Sequence, residues 1–243
     1  MLVETYNVNM FPPWIECLNR HAFPCKLSHG ERLRAIVACL LRSDADVVLL
    51  TELWHEPDAE RLVELSCNRW PHCLSNIRSR HSGRVLSSGL MLLSKAPIVS
   101  HCFVPFEREA GIDAYAEKGM LVAQLANGLR LVGAHMQAPY TQNSYSDIRW
   151  AQAIQLVALA QRTGANCVLG DLNLHPGSTK FSFLQENLLR LGLRCSVSSL
   201  EQVDFIFAPA VQELLESLYC YVDWKRKQHA LSDHKHHICN VKI

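Results

Sequence analysis

Chemically capable side chains stand where short apolar runs stop. Asn7 closes the first run, and Glu52 follows Val47-Val48-Leu49-Leu50-Thr51. His135 ends Leu131-Val132-Gly133-Ala134, and Asp171 and Asn173 end Cys167-Val168-Leu169-Gly170. Asp204 follows Val203, and Asp233-His234 precedes the last apolar run. Taken singly, each has a plain reading as a solvated strand end, a structural histidine or an Asp-x-Asn turn. Taken together, they form a toolkit for hydrolysing a phosphodiester. A hard divalent cation takes oxygen ligands, which the Glu52 carboxylate and the Asn7 amide can offer. A water nucleophile needs a general base such as His234, and that base needs an orienting carboxylate, Asp233 or a neighbouring Asp. A pentacovalent phosphate needs donors, and His135 and Asn173 can supply them.

The elements that must position these residues are readable. Strands are expected at 3–10, 47–53, 89–93, 120–125, 129–136, 167–172, 203–207 and 237–243, each a short apolar run bounded by turn or polar residues. Ser28 and Glu31 form a capping box before Leu33, Ile36, Val37, Leu40 and Leu41 at helical spacing. Ser144 with Asp147 opens a second helix whose stripe is Trp150, Ala153, Ile154 and Val157, and 181–191 reads as a third helix. Adjacent strands imply antiparallel pairing, and strands flanking helices imply crossovers. The expected architecture is α/β, a four-layer α/β/β/α sandwich of two mixed sheets flanked by helices, forming one domain over 1–243. An α/β fold places its site where such strands end.

Composition narrows the class. With 243 residues, 49% of them hydrophobic, the chain can bury a large core. Lys+Arg total 24 against 23 for Asp+Glu, so the basic excess typical of phosphate-backbone binders is missing. The 10 cysteines include no CxxC pair and sit in apolar surroundings, which reads as buried reduced thiols. The N-terminus lacks a basic segment followed by a long apolar one, and no apolar run is long enough to span a bilayer. A cytoplasmic protein is expected, peripheral where it meets a membrane, and a monomer.

Several segments resemble the endonuclease/exonuclease/phosphatase superfamily, in its order and across nearly the whole chain. Thr5-Tyr6-Asn7-Val8-Asn9 resembles the opening strand, and Leu50-Thr51-Glu52-Leu53-Trp54 the metal-binding Glu motif. Gly170-Asp171-Leu172-Asn173 resembles the GDxN motif, Val203-Asp204-Phe205-Ile206-Phe207 the D-(Y/F)-I-F strand, and Leu231-Ser232-Asp233-His234 the terminal SDH. The stretch 87–98, Lys118-Gly119-Met120-Leu121, and His135-Met136-Gln137-Ala138 with Ile148-Arg149-Trp150-Ala151-Gln152 resemble the neutral sphingomyelinase-like branch. Thr51, Ala134 and Phe205 depart from the usual Gln, Thr and Tyr, and none of these changes removes a catalytic group. Leu174-His175-Pro176 lacks the Arg expected of the inositol-polyphosphate 5-phosphatase branch.

The resemblance implies a Mg²⁺-dependent phosphodiesterase, with Mn²⁺ able to substitute. Glu52 and Asn7 would hold the metal against a phosphate oxygen, and Asp233 would orient His234 as base. Asp171 would position or protonate along the reaction axis. Asn173 and His135 would donate to non-bridging oxygens, with Asp204 orienting His135. Lys118, plainly read as a solvated strand-edge lysine, would add positive charge near the phosphate. The implied substrate is a phospholipid such as sphingomyelin, reached from a membrane surface. Residues 10–14 and 102–106 are candidate interfacial loops; their plain reading is packing on the core. The rival readings are a DNA endonuclease or exonuclease built on the same core, and a binding scaffold that has lost catalysis.

Overall fold

The computed structural model describes residues 1–18, 27–80, 82–141, 144–218, 221–224 and 227–242. In chain order its elements are β1 (Leu2–Met10), α1 (Pro13–Leu18), α2 (His29–Arg42), β2 (Val47–Leu53), α3 (Glu56–Ser66), β3 (His72–Leu74), β4 (Met91–Ser94) and β5 (Ile98–Pro105). A 3-10 turn (Gly111–Tyr115) leads to β6 (Gly119–Leu125), β7 (Arg130–His135), α4 (Ser146–Thr163), β8 (Cys167–Asp171), α5 (Thr179–Arg190) and β9 (Asp204–Phe207). The chain continues through β10 (Ala210–Leu218), β11 (Tyr221–Trp224), β12 (Lys227–Ala230) and β13 (His236–Lys242).

Two mixed sheets result. One runs β10-β13-β1-β2-β4-β3 and the other β5-β6-β7-β8-β9, while β11 and β12 form a separate hairpin. Period-2 side-chain alternation explains why the sheets stack. In β2, Val48 and Leu50 face α2 and α3, whereas Val47 and Leu49 face the second sheet. In β8, Val168 faces α4 and α5, whereas Cys167 and Leu169 face the first sheet. Burying a side chain such as Leu49 completely is worth about 1.5–3 kcal/mol, and the central strands β1, β2, β7 and β8 are filled on both faces this way. Three apolar layers therefore separate four structural layers, as expected of an α/β/β/α sandwich.

Several local expectations change. The α2 capping box forms, with the Ser28 amide donating to Glu31 Oε2 at 2.9 Å. The α4 stripe is rotated from the expected one: Ile154 is exposed, and Ile148, Arg149, Gln152, Ala153 and Leu156 are buried. Gln152 can be buried because its amide accepts from the Gln137 backbone at 2.8 Å and donates to the Arg108 carbonyl at 2.8 Å. Of residues 102–106, expected as a loop, 102–105 belong to edge strand β5 and Phe106 after it is buried. Cys39 is disulfide-bonded, so the thiols are not uniformly reduced, and Cys67 and Cys102 are exposed. Of the strand expected at 237–243, residue 243 lies outside the described residues. Among the described residues, no helix is long and apolar enough to cross a membrane.

Candidate active site

Both sheets contain one parallel strand pair, β1 with β2 and β7 with β8. The carboxyl ends of these four strands carry Asn7, Glu52, His135 and Asp171. His135 lies opposite Asp171 in the β7–β8 register, and Asp171 lies opposite Asp204 in the antiparallel β8–β9 register. One sheet thus supplies a row of three polar side chains across three strands. The other sheet supplies Asn7 and Glu52, and the segment leading into β13 supplies Asp233 and His234.

Backbone irregularities set the approach of these groups. The β1–β2 register shifts between Asn7 and Met10, and Asn9 and Glu52 there have φ of 49° and 59°. A bulge re-aims a side chain in this way. Asn tolerates the left-handed region, while a Glu held there stores of order 1–3 kcal/mol. At Gly170, φ is 128° and a Cβ would lie 2.0 Å from the Ala134 carbonyl oxygen, so only glycine lets β8 lie this close to β7 before Asp171.

Asn7 is the hub between the sheets. It is fully buried, and its Nδ2 donates to Glu52 Oε1 and Asp171 Oδ2, each at 2.9 Å. Its Oδ1 accepts from the Asn9 amide at 3.0 Å. The amide thus turns its NH₂ toward the acids, and an NH₂ group cannot ligate a cation. The sequence-based reading of Asn7 as a metal ligand does not match this geometry; Asn7 spaces the two carboxylates.

The histidines are paired differently from expectation. His234 Nδ1 lies 2.7 Å from Asp204 Oδ2 and 3.9 Å from Asp171 Oδ2. Asp233, expected to orient His234, is exposed and accepts from Asn9 Nδ2 at 2.6 Å. Asp204, expected to orient His135, orients His234 instead. His135 Nε2 lies 2.9 Å from Lys118 Nζ, 3.6 Å from Glu52 Oε1 and 3.8 Å from Asp171 Oδ2. An ammonium has no acceptor, so Nε2 accepts from Lys118. Burial, reinforced by the Lys118 and His234 charges, holds the His135 pKa well below its ordinary value, and the ring is neutral.

Lys118 is 1% exposed, far from a solvated edge. Its ammonium donates to His135 Nε2, to the Met136 carbonyl at 3.0 Å and to Asp113 Oδ2 at 2.8 Å, which uses all three protons. Asn173 Nδ2 donates to the same Met136 carbonyl at 3.1 Å, and the Asn173 amide donates to Asp171 Oδ1 at 3.0 Å. Asp113, on the 3-10 turn, also accepts from the Ala138 amide at 2.8 Å and from the Tyr140 hydroxyl. Sequence reasoning missed Asp113, which stands in a stretch with no periodic pattern, and Asn9, which the spacing Asn7-x-Asn9 could have flagged. It also missed the way Ser232 Oγ ties this segment to β1, donating to the Asn7 carbonyl at 2.7 Å.

The electrostatics favour a cation. Burial raises the Glu52 pKa. Burial, then the neighbouring Asp204, pushes Asp171 up to about 7. Burial opposes charging His234, but Asp204 and Asp171 outweigh it and push its pKa up to about 11. Glu52, His135 and Asp171 each offer a ligand atom within 4.8 Å of one another. Lys118 occupies His135 Nε2, so the carboxylates of Glu52 and Asp171 are the available donors, and an oxygen donor set suits Mg²⁺. These groups open into a cleft of about 580 Å³, bordered by Pro139, His175, Ser198, Ser199 and Lys235. Tyr140 at 49%, Val197 at 42% and Leu200 at 73% exposure are the chain neighbours of the rim residues Pro139, Ser198 and Ser199.

Comparison with known proteins supplies a family. The model of the endonuclease/exonuclease/phosphatase family matches residues 5–234. An inositol phosphosphingolipids phospholipase C from Saccharomyces cerevisiae is 33% identical over 159 residues, covering 59% of this chain and 32% of the relative. The match spans about a third of the curated relatives' length. The fold is shared with sphingomyelinase C from Streptomyces griseocarneus, at TM-score 0.75 and 21% identity over 100% of this chain and 99% of that one. It is also shared with a beta toxin mutant from Staphylococcus aureus with bound magnesium ions, at TM-score 0.75 and 17% identity over 99% of each chain.

Proposed function

Because the chain belongs to the endonuclease/exonuclease/phosphatase family, we propose that it is a divalent-metal-dependent phosphoric diester hydrolase that releases the phosphorylated head group of a sphingolipid or related phospholipid. One observation carries the reading: a His234–Asp204 pair 2.7 Å apart meets Asp171 in a buried cluster, and the Asn7 amide links Asp171 to Glu52.

In this reading Glu52 and Asp171 hold Mg²⁺ or Mn²⁺. When bound, the cation supplies positive charge to the phosphate and leaving oxygens. His234 takes the proton of the attacking water through Nε2, while Asp204 on Nδ1 fixes the tautomer and stabilises the imidazolium that forms. Positive charge near Glu52 and Asp171 draws the raised His234 pKa back toward neutrality, which readies the ring as an acceptor. Asp171 shares charge with Asp204 and His234 along the reaction axis. Asn173 at the cleft wall donates to the phosphate oxygens, whereas His135, first read as a second donor, is buried with Nε2 accepting from Lys118 and supports the cluster from 3.6 Å beside Glu52. Lys118 and Asp204 act as positioning groups for His135 and His234, and Asp233 holds Asn9 at the rim.

The lipid half of the proposal draws support from the names of the curated relatives, from the near-balanced charge and from Tyr140, Val197 and Leu200 beside the cleft mouth. These three replace the contacts first expected at 10–14 and 102–106: Trp14 is exposed, but Met10, Pro12 and Phe106 are buried. Purified protein with Mg²⁺ would be offered vesicles of sphingomyelin, vesicles of an inositol phosphosphingolipid, and a DNA duplex. Head-group release that rises with vesicle surface and changes little with salt is expected. DNA cleavage without head-group release, weakening steeply with salt, would assign the site to a nuclease.

A further inference from the structure

A second polar cluster lies at the meeting of α1, α2 and α3 and shares no residue with the site above. His29 Nε2 lies 2.6 Å from Asp58 Oδ2, and His55 Nδ1 lies 3.0 Å from the same oxygen. The two rings stand nearly edge to face, with centroids 6.0 Å apart and an interplanar angle of 80°. One ligand atom from each of His29, His55 and Asp58 falls within 4.8 Å of the others. The side chains are 19%, 29% and 9% exposed, so the cluster is built into the fold yet reachable from solvent on one side.

We propose that His29, His55 and Asp58 form a second metal site that takes zinc or a similar borderline divalent ion, structural in role and independent of the hydrolytic reading. Two imidazoles and one carboxylate suit zinc and do not suit Mg²⁺ or Ca²⁺, which require mostly oxygen. Ligand atoms around a tetrahedral zinc lie roughly 3.3 Å apart. The two nitrogen–oxygen separations, 2.6 and 3.0 Å, widen to that spacing with an outward rotation of the Asp58 carboxylate, and the two imidazole nitrogens lie within 4.8 Å of each other. Water completes the fourth position.

The surroundings add a second, independent feature. Glu16 Oε2 lies 2.8 Å from His29 Nδ1, on the side of the ring away from Asp58. A carboxylate on the far nitrogen is how proteins fix the tautomer and orientation of a metal-binding histidine. It leaves Nε2 as the ligand, and binding releases to solvent the proton that Nε2 now shares with Asp58. Arg32, one helical turn beyond His29, in turn holds Glu16 Oε1 at 3.3 Å. The same guanidinium donates to the carbonyls of Val8, Asn9 and Leu231 at 2.8, 2.9 and 2.8 Å. Metal at His29 therefore braces the end of β1 and the segment that carries Asp233 and His234.

The test uses the full chain, stripped with chelator and dialysed, then titrated with Zn²⁺ by calorimetry, with metal content read by mass spectrometry after gel filtration. Glu52→Gln reports on zinc adventitiously held in the hydrolytic cluster. His55→Ala removes a ligand but spares the His29–Asp58 and His29–Glu16 pairs. Asp58→Asn keeps a hydrogen-bonding side chain should His55→Ala misfold. We expect one tight equivalent and a zinc-dependent rise in Tm in wild type and Glu52→Gln. In His55→Ala and Asp58→Asn, affinity should fall at least ~10-fold and the Tm rise should vanish. Co²⁺ in place of Zn²⁺ should give visible absorption bands that His55→Ala abolishes. Equal zinc in the wild type and in either variant, or no tight zinc in the wild type, would leave the cluster a plain ion-pair network and overturn the proposal.

Discussion

His234 and Asp204, 30 residues apart in the chain, meet at 2.7 Å with the imidazole Nδ1 facing the carboxylate. The contact joins the segment before β13, which belongs to the first sheet, to the start of β9 in the second. Asp233, the sequence neighbour of His234, turns away to Asn9.

That pairing predicts an asymmetry between two aspartates. Asp204→Asn should lower kcat by ~10²-fold or more with little change in KM, because the tautomer and the developing imidazolium lose their partner. Asp233→Asn should cost less than ~10-fold. Steady-state kinetics of both folded variants decides the matter, and equal losses would reject the assignment of Asp204 to His234.

Metal removal should abolish turnover. Chelator is predicted to remove activity, and Mg²⁺ or Mn²⁺ to restore it, with Glu52→Gln refractory to rescue at concentrations that saturate wild type. Full turnover in excess EDTA would contradict a metal role for Glu52.

Gly170 should resist substitution. Alanine there would place Cβ 2.0 Å from the Ala134 carbonyl oxygen at a φ of 128°. Gly170→Ala is predicted to destabilise the fold by about 3 kcal/mol or more, or to prevent folding. Urea denaturation measures it, and a loss under about 1 kcal/mol would show that β7 and β8 can part without penalty.

Glu109 should give stability a pH dependence. Burial raises its pKa to about 7, well above the ordinary carboxylate range, although Arg84 pairs with it at 2.9 Å. The folded state thus holds this proton more tightly than the unfolded one. Its contribution is complete below the unfolded pKa and is lost as pH rises through about 7. Wild type should lose stability relative to Glu109→Gln between those two values. Parallel Tm profiles across the window would show that Glu109 titrates normally.

Much of the site was legible because an apolar run that stops at a polar residue marks both a strand and its end. Asn7, Glu52, His135 and Asp171 all have this form. Partners were less legible. Asp204 reaches His234, and Lys118 reaches His135, only through strand register and sheet stacking, which residue spacing does not encode. Residues 98–105 hid as an edge strand because their exposed face carries no alternation. Residues 210–218 pair along β13 although Gln, Glu and Leu favour helices, a case of tertiary pairing overriding local propensity.

The cross-tie at Asn7 has a further consequence. Glu52 and Asn7 arrive on the chain before β5, whereas His135, Asp171, Asp204 and His234 arrive after it. A chain severed in the turn between β4 and β5 would divide the reaction between two fragments, neither of which holds both the acid Glu52 and the base His234. Recovered turnover on mixing them would report both the pairing of β1 with β13 inside the first sheet and the docking of that sheet on the second, which makes catalysis itself a gauge of fragment complementation.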